Sequence, residues 1–244
     1  MNGSNTVLRI CKCQTACVVA LLPAGESCAG ESEGRTAVCP DGFNARVQAL
    51  ALLQTLNVDL LTHNSATLTL ERWCDAHKLA SPAIVVAELV RGVDKAPTGE
   101  VRHLLNVNAT AVVRYRRVRL HCGEHVLSEA DNWYVPTRLT PDMNRSLDTT
   151  DTAFGRAVKT LHFRRQTLSA KLLWSPLPEG WEMGVPAPEI STGRLPIPYH
   201  VIEHRAVLSL PNGTPFSVVV ETYTGELLAP LKPRPCALPV VPPG

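Results

Sequence analysis

The chain has 244 residues, long enough to bury a full core either as one domain with tails or as two small domains. Its 24 basic and 22 acidic residues are mixed along the chain and leave a formal charge of +2, so no basic field for nucleic acid or anionic lipid is present. No run of roughly eighteen apolar residues occurs, and no membrane-spanning helix is expected.

Five of the eight cysteines, Cys11, Cys13, Cys17, Cys28 and Cys39, crowd the first forty residues. Cys11-Lys-Cys13 is too tight for the usual zinc knuckle and no histidine pair follows at finger spacing, so no metal is expected. Arg9 and Lys12 precede the short apolar run "ACVVALLPAG", an order similar to a secretory or lipoprotein signal, although Glu26 before Cys28 departs from a clean lipoprotein cleavage site. Residues 1–40 are therefore expected to be a signal-like or disordered segment, and the product to be periplasmic or exported, with a cytoplasmic location as the alternative. Export would place the chain in an oxidising compartment, where Cys74 and Cys122 become the candidate disulfide of the folded part.

In "FNARVQALALLQTLNVDLLTH" apolar residues recur every three or four positions, the period of a helix with one buried face, and Asn44 is placed to cap it. The stretch "HNSATLTLERWCDAHKL" opens on a polar cluster and starts a second helix near Thr67, which stops before Ser81-Pro82 because the residue ahead of a proline avoids helical geometry. "AIVVAELVRGVD" and "AVVRYRRVRLHC" are rich in β-branched residues and read as strands, followed by a further strand in "HVLSEADNWYVP". Pro141 after Thr140 predicts a helix start, a second short helix begins near Ala153, and "RRQTLSAKLLW" returns to strand composition. Twenty prolines, about 8% of the chain against a background near 5%, cluster over 175–198 as an irregular connection and over 230–244 as an unpacked tail. Between them "HRAVLSLPNGTPFSVVVETYTGELL" reads as a hairpin turning at Asn212-Gly213.

This last hairpin repeats the plan of "RVRLHCGEHVLSEADNWYVPTRL", which predicts one α+β domain over 41–229. Its two hairpins would join in a single antiparallel sheet, with short helices before and between them.

Four separated places, "SATLTLE", "RRVRL" with "WYVP", "DTAFGR" and "SLPNGTPFSVVVET", together resemble the chorismate lyases, whose fold is shared with effector-binding domains of bacterial transcription regulators. The resemblance implies a sheet of about six strands flanked by helices and enclosing an internal pocket. It also implies cleavage of chorismate, or a related enolpyruvyl or aromatic acid, to pyruvate and 4-hydroxybenzoate without a cofactor, the alternative being a non-catalytic binder of an aromatic acid with the same fold. It places Arg117 at the ring-carboxylate anchor and Glu221 at the pocket glutamate, and sets Ser65, Ala66, Thr67, Phe154 and Gly155 against the ligand. The family's second arginine falls on Asn132, which removes a charge-assisted contact of about 1.5–3 kcal/mol. Glu221 lies one residue further from its turn glycine than in the family, a slip that would turn it outward unless a bulge absorbs it. Asp131 adds a carboxylate on the neighbouring hairpin.

Read without the resemblance, alternation puts Arg117 and Arg119 on one face of their strand and Arg114 and Arg116 on the other, so one pair faces solvent. Glu221 after "SVVV" calls for a partner if buried, and Ser65 and Thr67 serve equally as helix-start residues. The partner expected is thus a small-molecule acid; the sequence is silent on oligomeric state.

Overall fold

The structure, a computed structural model, describes residues 41–188 and 194–231. The signal-like segment over 1–40 and most of the proline-rich tail fall outside those residues. Pro230 and Leu231, assigned to the tail from composition, instead close a short 3-10 helix over Gly225–Leu231.

Helix α1 (Phe43–Thr62) buries Ala49, Leu53, Leu56 and Leu60, spaced as the apolar period requires. Each such leucine contributes about 1.5–3 kcal/mol by leaving water. The helix is entered from Gly42 with no side-chain cap, so Asn44 lies in the first turn rather than at the cap. Helix α2 (Ala66–Ala76) starts at Ser65, whose hydroxyl accepts from the Leu68 amide at 3.4 Å. Strand β1 (Val85–Leu89) is followed by helix α3 (Gly99–Leu104), an element not anticipated above. Its signal was short: Thr98 as cap, accepting from the Val101 amide at 3.2 Å, and apolar Val101 and Leu105 four residues apart.

Strands β2 (Arg114–Cys122) and β3 (His125–Tyr134) form the first hairpin, and β5 (His200–Ser209) and β6 (Pro215–Thr224) the second. Between the hairpins lie helices α4 (Pro141–Thr149) and α5 (Phe154–Ala157) and strand β4 (Arg164–Leu172). All pairings are antiparallel, in the order β1-β2-β3-β6-β5-β4, so the two hairpins meet along β3 and β6 at the centre of one six-stranded sheet.

The inner face packs Val118, Leu120 and Ala130 against Leu53, Leu56, Leu70 and Trp73 of α1 and α2. The outer face packs Trp133, Val207 and Val218 under Val101 and Leu105 of α3. Trp73 and Trp133 are core residues whose indoles donate to the carbonyls of Leu227 (3.0 Å) and Lys95 (2.8 Å). Cys74 and Cys122 are joined by a disulfide that ties the end of α2 to the end of β2. No helix among the described residues is long and apolar enough to cross a membrane.

Candidate ligand site around Arg116

The inner face is set by the pairing register. One row across the sheet runs Arg116, Asn132, Val219; the next runs Val118, Ala130, Glu221, His204. Arg165 of β4 reaches the same space, and the start of α2 with Phe154 and Gly155 closes it from above, leaving a cavity of about 40 Å3. Gly155 is required at that closure: a Cβ there would lie 2.6 Å from Ser65 Oγ and 2.9 Å from Thr67 Oγ1. Below α5, Arg156 donates to Glu71, which also accepts from the Val85 amide at 3.2 Å, so α5, α2 and β1 are held by one carboxylate.

Three charges meet at the cavity. Arg165 donates to Glu221 Oε2 at 2.5 Å, both side chains nearly solvent-free, and the Tyr223 hydroxyl donates to the same oxygen at 3.1 Å. Burial opposes the charge on Arg165, but Glu221 outweighs it and holds the guanidinium above its ordinary pKa. Arg116 is the third. It is 5% exposed, and among the described residues its terminal nitrogens donate only to the Thr152 carbonyl, at 3.3 Å each. Its Nε is buried with no partner among the described residues, and so is Nδ2 of the facing Asn132, whose Oδ1 accepts from Ser217 at 2.6 Å. Each orphaned donor costs about 1–3 kcal/mol until something accepts from it. Burial also pulls the Arg116 pKa below its ordinary value.

His204 lies behind Glu221, fully buried, with Nε2 2.9 Å from Asn57 Oδ1 and Nδ1 unpartnered among the described residues. Burial pushes its pKa down to about 4, so it is neutral in the folded chain. An unfolded histidine takes its proton near pH 6.5, hence stability is full above that value and falls as pH drops toward 4. We expect a loss of roughly 3 kcal/mol across that window, and His204→Gln should flatten the slope in urea titrations at stepped pH. An unchanged slope would place the acid sensitivity elsewhere.

The structure brings Ser65, Ala66, Thr67, Asn132, Phe154, Gly155 and Glu221 to one cavity. It does not bring Arg117. That side chain lies on the outer face, where it pairs with Asp131 at 3.2 Å and Glu129 at 3.6 Å in a cluster with Tyr115 and Lys95. The reason is strand alternation: Arg116 shares its face with buried Val118 and Leu120, and Arg117 cannot. Asp131 is on the outer face too and meets no ligand in the cavity. Glu221 reaches the inner face because the hairpin carries a bulge: Ser209 pairs with Pro215 and Leu208 with Ser217, leaving Phe216 as the extra residue. Arg116 and Arg165 were not nominated from sequence. Both follow an in-face apolar signal, Arg116 two residues before Val118 and Arg165 two residues after buried Phe163. A larger cleft of about 950 Å3 lies between α1 and the 3-10 helix at Gly225–Leu231, and none of the residues nominated from sequence lines it.

No protein-family model matches the chain, so the likeness to chorismate lyases rests on its motifs. Among solved structures, PhnF from Mycobacterium smegmatis is similar at a TM-score of 0.43 and 13% identity, over 68% of this chain and 66% of that one. The possible transcriptional regulator YydK from Bacillus subtilis subsp. subtilis str. 168 follows at 0.37 and 15%, over 59% of each chain. Likenesses of that size carry no argument about activity or ligand. "Uncharacterized protein y4mC" of Sinorhizobium fredii (strain NBRC 101917 / NGR234) is 57% identical over 185 residues, which is 75% of this chain and 78% of y4mC. At that identity and coverage, the chain belongs to the same protein family as y4mC.

Proposed function

We propose that this chain binds a small monocarboxylic acid on Arg116 and performs no chemistry on it. The observation that carries the reading is the state of Arg116: a buried guanidinium with no carboxylate within 4.0 Å among the described residues and an orphaned Nε. An unpaired buried cation is costly by several kcal/mol, and a ligand carboxylate would supply both the countercharge and the missing acceptors. The charge count supports one carboxylate rather than two. Arg165 is neutralised by Glu221 and His204 is uncharged, which leaves a single positive charge.

Cleavage of chorismate is the second reading, favoured by Glu221 standing at the same cavity as two arginines. Two features weigh against it. Chorismate brings two carboxylates to one free guanidinium, and Glu221 is already occupied by Arg165 and Tyr223. The inner cavity of about 40 Å3 also admits a carboxylate or a water, not a ring, since pockets for such ligands run from ~300 Å3 upward.

Calorimetric titration with monocarboxylates from acetate to 4-hydroxybenzoate tests the reading. Arg116→Gln should weaken binding about 10- to 150-fold, the worth of one charge-assisted contact. Equal affinity in the variant would overturn the assignment, and release of 4-hydroxybenzoate from chorismate would establish the lyase reading in its place. The Cys74–Cys122 disulfide supports an oxidising compartment and hence export. Recovery of the chain from the periplasmic fraction with that bond intact is the expected result; recovery from the cytoplasm alone would overturn it.

A further inference from the structure

Arg116 is a wall of two spaces, not one. Besides the small inner cavity it lines a cleft of about 490 Å3 at the end of the sheet, between the start of β2, the end of β3 and α4. That volume falls in the range of ordinary small-molecule sites, ~300–1,000 Å3, whereas the inner cavity does not. Apolar side chains of Leu89, Val113 and Leu147 form part of its wall, and the polar ones are unevenly placed. At the floor stands buried Arg116, whose Nε has no partner among the described residues. At the rim stand Arg114 and Asp148, paired to each other at 2.9 Å, and exposed Asp94, which has no ion-pair partner among the described residues. Floor and rim therefore carry about one positive and one negative charge respectively.

We propose that the body of the ligand lies in this cleft, its carboxylate on Arg116 and a protonated amine toward Asp94, so that the ligand is an amine-bearing monocarboxylic acid bound as a zwitterion. The proposal rests on Arg116 being the acid anchor and adds the place and the class of the rest of the molecule. A dianion would set its second carboxylate against the acidic rim, and a bare fatty acid would leave Asp94 without a partner. The orientation follows from desolvation. The carboxylate goes to the buried cation, where a charge-assisted bond is shielded from water, and the amine stays at the wetter rim, where Asp94 attracts it at smaller cost. Arg116, Tyr134 and Asp148 line the same cleft.

The test is calorimetry of the full chain with unbranched ω-amino acids from glycine to 6-aminohexanoate, each against the unsubstituted acid of equal chain length. At one chain length the amino acid should bind at least tenfold more tightly than its plain counterpart. Asp94→Asn, a change at an exposed position, should erase that preference without weakening the plain acid, while Arg116→Gln should weaken both. Circular dichroism would check that each variant is folded. Plain and amino acids binding equally at every length, or a preference that survives Asp94→Asn, would overturn the cleft assignment while leaving Arg116 as the acid anchor. Binding of none of these acids by the unmodified chain would overturn the anchor itself, and the cleft assignment with it.

Discussion

Replacing Glu221 by alanine is expected to destabilise the domain by about 3–5 kcal/mol, the cost of leaving a buried cation without its partner. Arg165 is 3% exposed in its side chain and Glu221 10%, so neither can turn to water. Tyr223, fully buried, would lose its acceptor on the same oxygen. A second variant separates charge from packing. Arg165→Met combined with Glu221→Leu removes both charges at similar volume and should recover most of the loss, because the desolvation of both ions disappears with them. Urea denaturation of the three proteins reads the effect, and a loss under about 1 kcal/mol in Glu221→Ala would show that the pair is solvated and the cavity open.

The disulfide carries the other large effect. Cys74 and Cys122 are separated by 48 residues and both are fully buried. Replacing both by alanine frees that loop in the unfolded chain, for which loop-closure entropy gives about 4 kcal/mol. Reductant should lower the denaturation midpoint of the unmodified protein and leave the double variant unmoved. A midpoint in the unmodified chain that ignores reductant throughout would mean that the bond is absent from the folded protein. The bond also bears on the site, since it joins the two elements, α2 and β2, whose other ends hold Ser65 and Arg116.

What could be read in advance follows from which interactions are local. The helix over 43–62, the Thr140-Pro141 start and the Asn212-Gly213 turn are written in spacing and turn chemistry a few residues long, and these recur in the structure. Helix α3 was missed because six residues give too few repeats of an apolar period to stand out. The site was legible in part. Glu221 and the start of α2 were marked by a carboxylate after an apolar run and by a polar cluster before a helix.

The arginine placed at the anchor by the resemblance, Arg117, is one residue away from the arginine that lines the cavity, Arg116. The motif likeness aligned Arg117 with its counterpart, while alternation left open which pair of β2 arginines faces inward; the structure puts Arg116 on the buried face with Val118 and Leu120. Side-chain alternation is the firmer physical constraint, because a one-residue shift exchanges the faces of the whole strand. For Arg165 the local signal is only its two-residue spacing from Phe163, and nothing local names its partner. Its partner is 56 residues away, and only the closing of β4 onto β5 brings the pair together.

Arg116 as the binding group is most directly tested by a crystal structure of the chain soaked with a monocarboxylate that binds in solution. The carboxylate is predicted to accept from the Arg116 guanidinium, including Nε, at 2.7–2.9 Å, the range of charge-assisted bonds. A carboxylate held instead by Arg117 on the outer face, or lodged in the cleft between α1 and Gly225–Leu231 away from any residue of the inner sheet face, would contradict it.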